Sequence, residues 1–164
     1  MAEEWGHVVI KTTNELMSDI KSMENGDAIE FVKRLAEIAQ IDGTALDGAD
    51  CRIGTVLLKG GYALLDFSCS DWSRISAAFV SKGSGIEYYF SGQDEYGTAE
   101  FFALNDAGER FGYAFDQGGD AWDIDGYEDE VTQKLEEWQS KVPDALKEVF
   151  PNFADTSELM FDGP

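Results

Sequence analysis

The fold is set by residues 51–69, CRIGTVLLKGGYALLDFSC, which read as two strands joined by a tight turn. Residues with apolar side chains alternate with others on both sides of Gly60-Gly61, and a two-glycine connection is typical of a β-hairpin. With Gly60 opposite Gly61, Val56 faces Leu65 across the ladder. The stretch therefore predicts an antiparallel pair at the centre of the chain.

The same register predicts the state of the two cysteines, the only ones in the chain. It places Cys51 opposite Ser70 and Cys69 opposite Arg52, so the two thiols point to opposite sides of the sheet. Cysteines in such positions cannot bond without moving the backbone. The sequence therefore predicts two free thiols.

Upstream of the hairpin, the pattern indicates one strand and two helices. Residues 5–11 are rich in β-formers, and Thr12 with Glu15 forms a capping-box pattern that starts a helix. A second helix is predicted from about Asp27 to Gln40, because apolar residues recur there at helical spacing. Residues 42–50 read as a loop.

Downstream, Asp71 is predicted to cap a third helix that stops at Gly83. Three strands should follow, at residues 86–90, 98–104 and 109–115. The turn Asn105-Asp106-Ala107-Gly108 joins the last two.

With Asn105 opposite Gly108 in that turn, Phe102 should face Phe111 and Thr98 should face Phe115.

A long final helix is predicted over residues 127–150. Its buried side carries Val131, Leu135, Trp138 and Val142. Pro143 should kink this helix or restart it.

These elements predict an α+β domain. Strands connected by hairpins and separated by single helices favour an antiparallel sheet of about five strands with helices on one face. No proline-rich linker divides the chain. We expect a single domain over residues 1–153 and a C-terminal tail over 154–164.

Charge is the strongest feature of the composition. The chain has 33 Asp and Glu against 12 Lys and Arg, a formal net charge of −21. Such a field repels nucleic acids and anionic membranes and attracts basic proteins. It is also consistent with solubility or salt adaptation alone.

Catalytic motifs are not evident in the sequence. The single histidine, His7, is too little for a Ser-His-Asp triad or a histidine-based metal site, and we interpret it as a surface or edge residue. Phosphate-binding loops and nucleophile elbows are absent as well. We therefore expect a binding protein without a cofactor rather than an enzyme.

The Asp/Gly-rich loop of residues 116–126 can be compared with the calcium-binding loop of an EF-hand. With Gly126 at position 6 of an EF-hand loop, position 1 is Ala121 and position 12 is Thr132. Neither supplies the required ligand. We therefore predict no metal site there.

The same loop and the start of the last helix carry a dense acidic cluster around an aromatic residue. Nine acidic residues fall between Asp116 and Glu137, opposed only by Lys134. Carboxylates around a large aromatic suit the gripping of a basic protein. Alternatively, Trp122 packs on the sheet edge and the acids solvate the helix start. The predicted partner-binding residues are Asp94, Glu95, Asp116, Asp120, Trp122, Asp123, Asp125, Glu128 and Asp129.

In its acidic composition and lack of catalytic motifs, the chain resembles the small immunity proteins of bacterial toxin–immunity systems. That resemblance implies a cytoplasmic protein that caps the active site of its toxin. Separately, Asp71-Trp72-Ser73, Ile86-Glu87-Tyr88-Tyr89, Asp94-Glu95-Tyr96-Gly97 and Phe101-Phe102-Ala103 resemble the ferredoxin-like part of YubB-type proteins.

We therefore expect an immunity protein or antitoxin that binds a basic, nucleic-acid-targeting toxin. The alternative is a nucleic-acid mimic that inhibits a DNA-binding or host-defence protein. We expect no direct contact with nucleic acid or membrane. The acidic N-terminus, Met1-Ala2-Glu3-Glu4, lacks the features of a signal peptide and favours the cytoplasm.

Overall fold

The strands and helices are taken from a computed structural model that describes residues 4–20, 26–47, 50–69, 71–94, 96–115 and 125–153. The strands are β1 (Glu4–Lys11), β2 (Gly26–Asp27), β3 (Arg52–Lys59), β4 (Tyr62–Ser68), β5 (Tyr88–Asp94), β6 (Ala99–Leu104) and β7 (Arg110–Phe115). The helices are α1 (Asn14–Ile20), α2 (Ile29–Ile38), α3 (Trp72–Ser81), α4 (Tyr127–Lys141) and α5 (Asp144–Val149), with a 3₁₀ turn at Gly43–Leu46. The predicted tail, residues 154–164, lies outside the described residues.

All of these strands join one antiparallel sheet in the order β2-β3-β4-β1-β5-β6-β7. The predicted α+β class is confirmed, and the sheet has six strands of six residues or more plus the two-residue β2. The N-terminal strand lies in the middle because Val8, Val9 and Ile10 are all fully buried. Such a continuous apolar run needs cover on both faces of a sheet.

The middle of the sheet follows a split β-α-β arrangement. Strand β1 lies between β4 and β5, so each β-α-β crossover skips over one strand. The succession β1, α2, β3, β4, α3, β5 with the order β3-β4-β1-β5 is that of ferredoxin-like folds. The hairpin β6–β7 then extends the sheet beyond β5.

The prediction that helices cover one face of the sheet is wrong, because two separate cores lie on opposite faces. Val8 and Ile10 join the core under α1, α2 and α3, whereas Val9 joins the core under α4 and α5. The physical reason lies in β1, β5 and β6, where consecutive residues are buried, so that side chains on both faces of the sheet are apolar or covered. Each face must therefore be covered by its own helices.

The prediction of free thiols is also wrong, because Cys51 and Cys69 form a disulfide with their Cα atoms 4.3 Å apart. The predicted register holds from the turn to Thr55, which faces Asp66. A bulge at Gly54 then moves the register by one residue, so that Ile53 faces Phe67. Glycine inside a strand commonly marks such a bulge. The shift brings the two cysteines opposite each other.

The predicted register of β6 and β7 is wrong by one residue. Asn105 lies opposite Glu109, because its amide donates to the Glu109 carbonyl and its side-chain oxygen accepts from the amides of Ala107 and Glu109. The turn therefore has three central residues instead of two. Phe102 faces Gly112, and the aromatic pair on this ladder is Phe101 with Tyr113, whose rings lie 6.0 Å apart.

The start of the first helix differs from prediction, and the division of the last helix agrees with it. The first helix is capped by Thr13 rather than Thr12, since the Leu16 amide donates to the Thr13 hydroxyl. The final helical stretch is divided at Pro143 into α4 and α5, as the restart interpretation predicted. Val131, Leu135, Trp138 and Val142 are all buried, which confirms the predicted inner side.

Candidate partner-binding surface

Part of the predicted acidic site can be placed in the fold. Asp94 lies at the end of β5, Asp125 precedes α4, and Glu128 and Asp129 belong to its first turn. The remaining predicted residues lie outside the described residues, and these are Glu95, Asp116, Asp120, Trp122 and Asp123.

Asp94 has a structural task besides its charge. Its Oδ1 atom accepts hydrogen bonds from the amides of Tyr96 (2.8 Å) and Thr98 (2.9 Å). This is an aspartate-centred turn, in which a short carboxylate replaces a backbone acceptor. It fixes the loop between β5 and β6 and leaves the neighbouring Tyr96 with 52% of its surface exposed.

The first turn of α4 presents three consecutive carboxylates to solvent. Glu128, Asp129 and Glu130 are exposed, and the positive end of the helix dipole stabilises them there. Neither these three nor Asp125 form an ion pair with a lysine or arginine of the described residues. Their charge is therefore available to a partner.

Tyr127 joins this helix to the loop that Asp94 fixes. Its hydroxyl donates to the Gly97 carbonyl (2.8 Å), and its ring lies 4.9 Å from that of Phe115. Burial raises the pKa of Tyr127 to about 12, and the charges of Asp94 and Glu128 add to the shift. Two acidic segments more than thirty residues apart therefore meet around one phenol. We call Asp94, Tyr96, Asp125, Glu128, Asp129 and Glu130 the acidic end.

Glu4 belongs to the same end of the sheet, although no sequence pattern marks it as a site residue. It lies opposite Asp94 in the β1–β5 ladder. The pKa of Glu4 is raised to about 7, mainly by burial. Two hydrogen bonds from Ser73 oppose this rise, and the charges of Asp71 and Asp94 contribute to it. Those bonds cap α3, because the predicted cap Asp71 makes no side-chain hydrogen bond to the amides of the helix. The partner is 69 residues away, so local pattern carries no signal for it.

His7 is neither at an edge of the sheet nor part of a larger site. It lies on the central strand β1, and its Nδ1 atom contacts the carboxylate of Asp66 on β4. Within the described ranges no group of three His, Cys, Asp or Glu residues could hold a metal ion. The geometry supports an isolated polar pair on the sheet.

A buried carboxylate at the opposite end of the sheet was also not predicted from the sequence. Glu87 is 8% exposed and accepts hydrogen bonds from the hydroxyls of Tyr62 (2.7 Å) and Tyr89 (2.7 Å). Burial and these bonds raise the pKa of both tyrosines. The Lys11 ammonium lies 4.6 Å from the centre of the Tyr62 ring. Because the carboxylate has two donors, the cluster is explained as a satisfied buried network.

Comparison of the chain with protein-family models, with curated proteins and with solved structures found no match. In the part of the chain that the structure describes, no helix has both the length and the apolar character needed to cross a bilayer.

Proposed function

We propose that this protein binds a basic protein through its acidic end and neutralises it, as an immunity protein or antitoxin does. The observation that carries the proposal is the exposed Tyr96 ring next to carboxylates that no described cation pairs with. Aromatic residues surrounded by a charged rim are typical centres of protein interfaces.

Two further features support this proposal. The net charge of −21 attracts a basic partner over long distances and raises its association rate. The acidic end is also preorganised, because Asp94 fixes the Tyr96 loop and Tyr127 ties that loop to α4. A fixed surface loses less conformational entropy on binding.

The proposed partner is a toxin domain that acts on nucleic acids. Enzymes of this kind present a basic face to their substrate, and an acidic protein bound there excludes the substrate. The alternative is mimicry, in which the carboxylates take the place of phosphates on a DNA-binding protein.

The test is a co-purification from the native host with three baits: the wild type, the acidic-end variant Glu128→Gln/Asp129→Asn/Glu130→Gln, and the control Glu30→Gln/Glu37→Gln/Glu148→Gln. The control changes the net charge by the same amount at exposed positions on α2 and α5. We expect one protein rich in Lys and Arg with the wild type and the control. Recovery should fall at least tenfold with the acidic-end variant.

The recovered protein is then expressed with and without this chain. Toxicity that the chain relieves supports the immunity function, and a non-toxic DNA-binding protein that duplex DNA displaces supports mimicry. Equal recovery on all three baits, or a partner without excess basic charge, contradicts the proposed site.

For the compartment we propose the cytoplasm, and the Cys51–Cys69 disulfide provides the test. Disulfides persist in oxidising compartments and are rare in a reducing cytoplasm. In cells lysed directly into denaturant with an alkylating reagent, both cysteines should therefore be modified, whereas protein folded in an oxidising buffer should contain the bond. An intact disulfide under the same treatment places the protein in an oxidising compartment.

A further inference from the structure

The outer edge of β7 is free on the side away from β6. This strand ends the sheet, and no described strand pairs with its second side. The Asn105 amide donates to the Glu109 carbonyl, so Glu109 and every second residue after it form hydrogen bonds with β6. The backbone N–H and C=O groups of the residues between them, Arg110, Gly112 and Ala114, therefore point outward. An edge of this kind accepts another strand.

An apolar groove runs along this edge, between β7 and α3. It has a volume of about 600 Å³ and is lined by Ala77 and Val80 of α3, Phe102 of β6, and Gly112 and Ala114 of β7. Gly112 and Ala114 are small and exposed, so they leave space above Phe102. Side chains of an added strand that point toward α3 would enter this groove.

The opposite face of the same edge is acidic. Tyr113, in the middle of β7, packs on the core under α4, and its pKa is raised by burial first and also by the charge of Glu130 in the first turn of that helix. At the end of the strand, the ring of Phe115 packs on Tyr127 in the first turn of α4. Lys134 lies 5.8 Å from the Tyr113 ring but is paired with Glu137. Side chains of an added strand that point toward α4 would meet the carboxylates of its first turn, which form no ion pair with a described lysine or arginine.

We propose that β7 is a docking edge on which an extended segment of the basic partner adds as a further strand. Its apolar side chains fill the groove under α3, and the alternate Lys or Arg side chains lie beside Glu130 and the first turn of α4. Backbone bonds then supply affinity, while the two faces select an alternating apolar and basic sequence. This inference rests on the proposed function, since it assigns the binding mode of the same basic partner.

The test uses a display library of random decapeptides selected on the wild type, and the enriched peptides are then measured on three variants, of which Ala114→Pro is the first. Proline removes one outward N–H and leaves the β6 ladder intact. Gly112→Val is the second variant, because a Cβ at Gly112 would lie 3.4 Å from the Phe102 ring, so that the larger side chain occupies the groove. Leu57→Ser on the β3 edge, where Leu57 is 50% exposed, is the control. Thermal melts establish that all three variants fold.

We expect the enriched peptides to alternate apolar residues with Lys or Arg. They should bind Ala114→Pro and Gly112→Val at least tenfold more weakly than the wild type, and Leu57→Ser equally well. In hydrogen exchange they should protect the amides of Gly112 and Ala114. Equal binding to Ala114→Pro, or no enriched peptides of this pattern, overturns the proposal.

Other occupants give different results. Protection of these amides without peptide that grows with protein concentration identifies a second copy, and concentration-independent protection identifies a segment of this chain; both overturn the proposal. The two hypotheses also fail separately. If Ala114→Pro keeps the partner that the acidic-end variant loses, the function stands and the docking mode falls. If the acidic-end variant keeps the partner that the wild type recovers, the proposed function falls, whichever peptides the β7 edge selects.

Discussion

The carboxylate of Glu4, on the central strand, accepts hydrogen bonds from the Ser73 amide (2.9 Å) and the Ser73 hydroxyl (2.8 Å) at the start of α3. One side chain therefore joins the N-terminal strand to a helix 69 residues later. Since burial, opposed by these two bonds, raises the pKa of Glu4 to about 7, the buried carboxylate makes stability depend on pH in the neutral range.

The first prediction concerns that pH dependence. The folded pKa of about 7 lies above the unfolded value of 4.5, so the contribution of Glu4 is fully present below pH 4.5 and is lost as the pH rises through 7. We expect it to lower the free energy of unfolding by about 2–3 kcal/mol between pH 4.5 and pH 8. Glu4→Gln should flatten this part of the slope in urea titrations at fixed ionic strength.

The control for Glu4→Gln is Glu128→Gln, which removes an exposed carboxylate from the same end of the molecule. It should keep the wild-type slope. An identical pH dependence in wild type and Glu4→Gln would show that other groups cause it.

The second prediction concerns the disulfide. Because the bulge at Gly54 places Cys51 opposite Cys69, protein folded in an oxidising buffer and then denatured without reductant should contain no titratable thiol. Cys51→Ser/Cys69→Ser should lower the free energy of unfolding by about 3 kcal/mol, as expected for a loop of this length. Two reactive thiols in the wild type, or unchanged stability of the double variant, would refute the pairing.

The third prediction tests the bond that joins α4 to the loop after β5. Tyr127→Phe removes the donor to the Gly97 carbonyl and should lower the free energy of unfolding by about 1–2 kcal/mol in chemical denaturation. Tyr96→Phe is the matched control, since that ring is exposed, and its effect should stay within about 0.5 kcal/mol. Equal effects of the two substitutions would mean that the Tyr127 bond contributes nothing measurable.

The fourth prediction separates anchoring from steering at the acidic end. Once the basic partner has been purified, Tyr96→Ala should mainly speed the dissociation of the complex and reduce the binding free energy by about 2–4 kcal/mol. Removal of the Glu128 and Asp129 charges should mainly slow association and flatten its salt dependence. Stopped-flow kinetics at two salt concentrations distinguish these effects, and a Tyr96→Ala variant with wild-type dissociation would not fit an anchor.

The same measurement applies to Trp122, which the sequence selects and which lies outside the described residues. Lost affinity of Trp122→Ala at unchanged thermal stability supports an interface residue. Lost stability with unchanged affinity of the folded fraction assigns it to the core.

The fifth prediction follows from net charge. Repulsion among the carboxylates should weaken as the Debye length falls from about 30 Å at 0.01 M salt to about 10 Å at 0.1 M. The melting midpoint should therefore rise between these concentrations. A constant or lower midpoint would show that charge repulsion does not limit the fold.

Much of the secondary structure follows from local pattern. The hairpin around Gly60-Gly61 is where alternation and turn chemistry predict it, and Pro143 divides the last helix. The errors concern register and layering. A single extra residue at Gly54 or in the Asn105 turn moves a whole ladder, and the strand pattern alone did not fix the number of helical layers.

For the candidate site, the sequence determined the excess of carboxylates, the positions of the acidic segments and the aromatic residues among them. Only the tertiary structure brought Asp94 and the first turn of α4 to the same tyrosine, Tyr127. It also brought the Glu4 carboxylate to the start of α3 and joined Cys51 to Cys69. Charge and periodicity are properties of neighbouring residues and can be read along the chain. Contacts between distant residues depend on which strands pair, in which register, and which face of the sheet each helix covers.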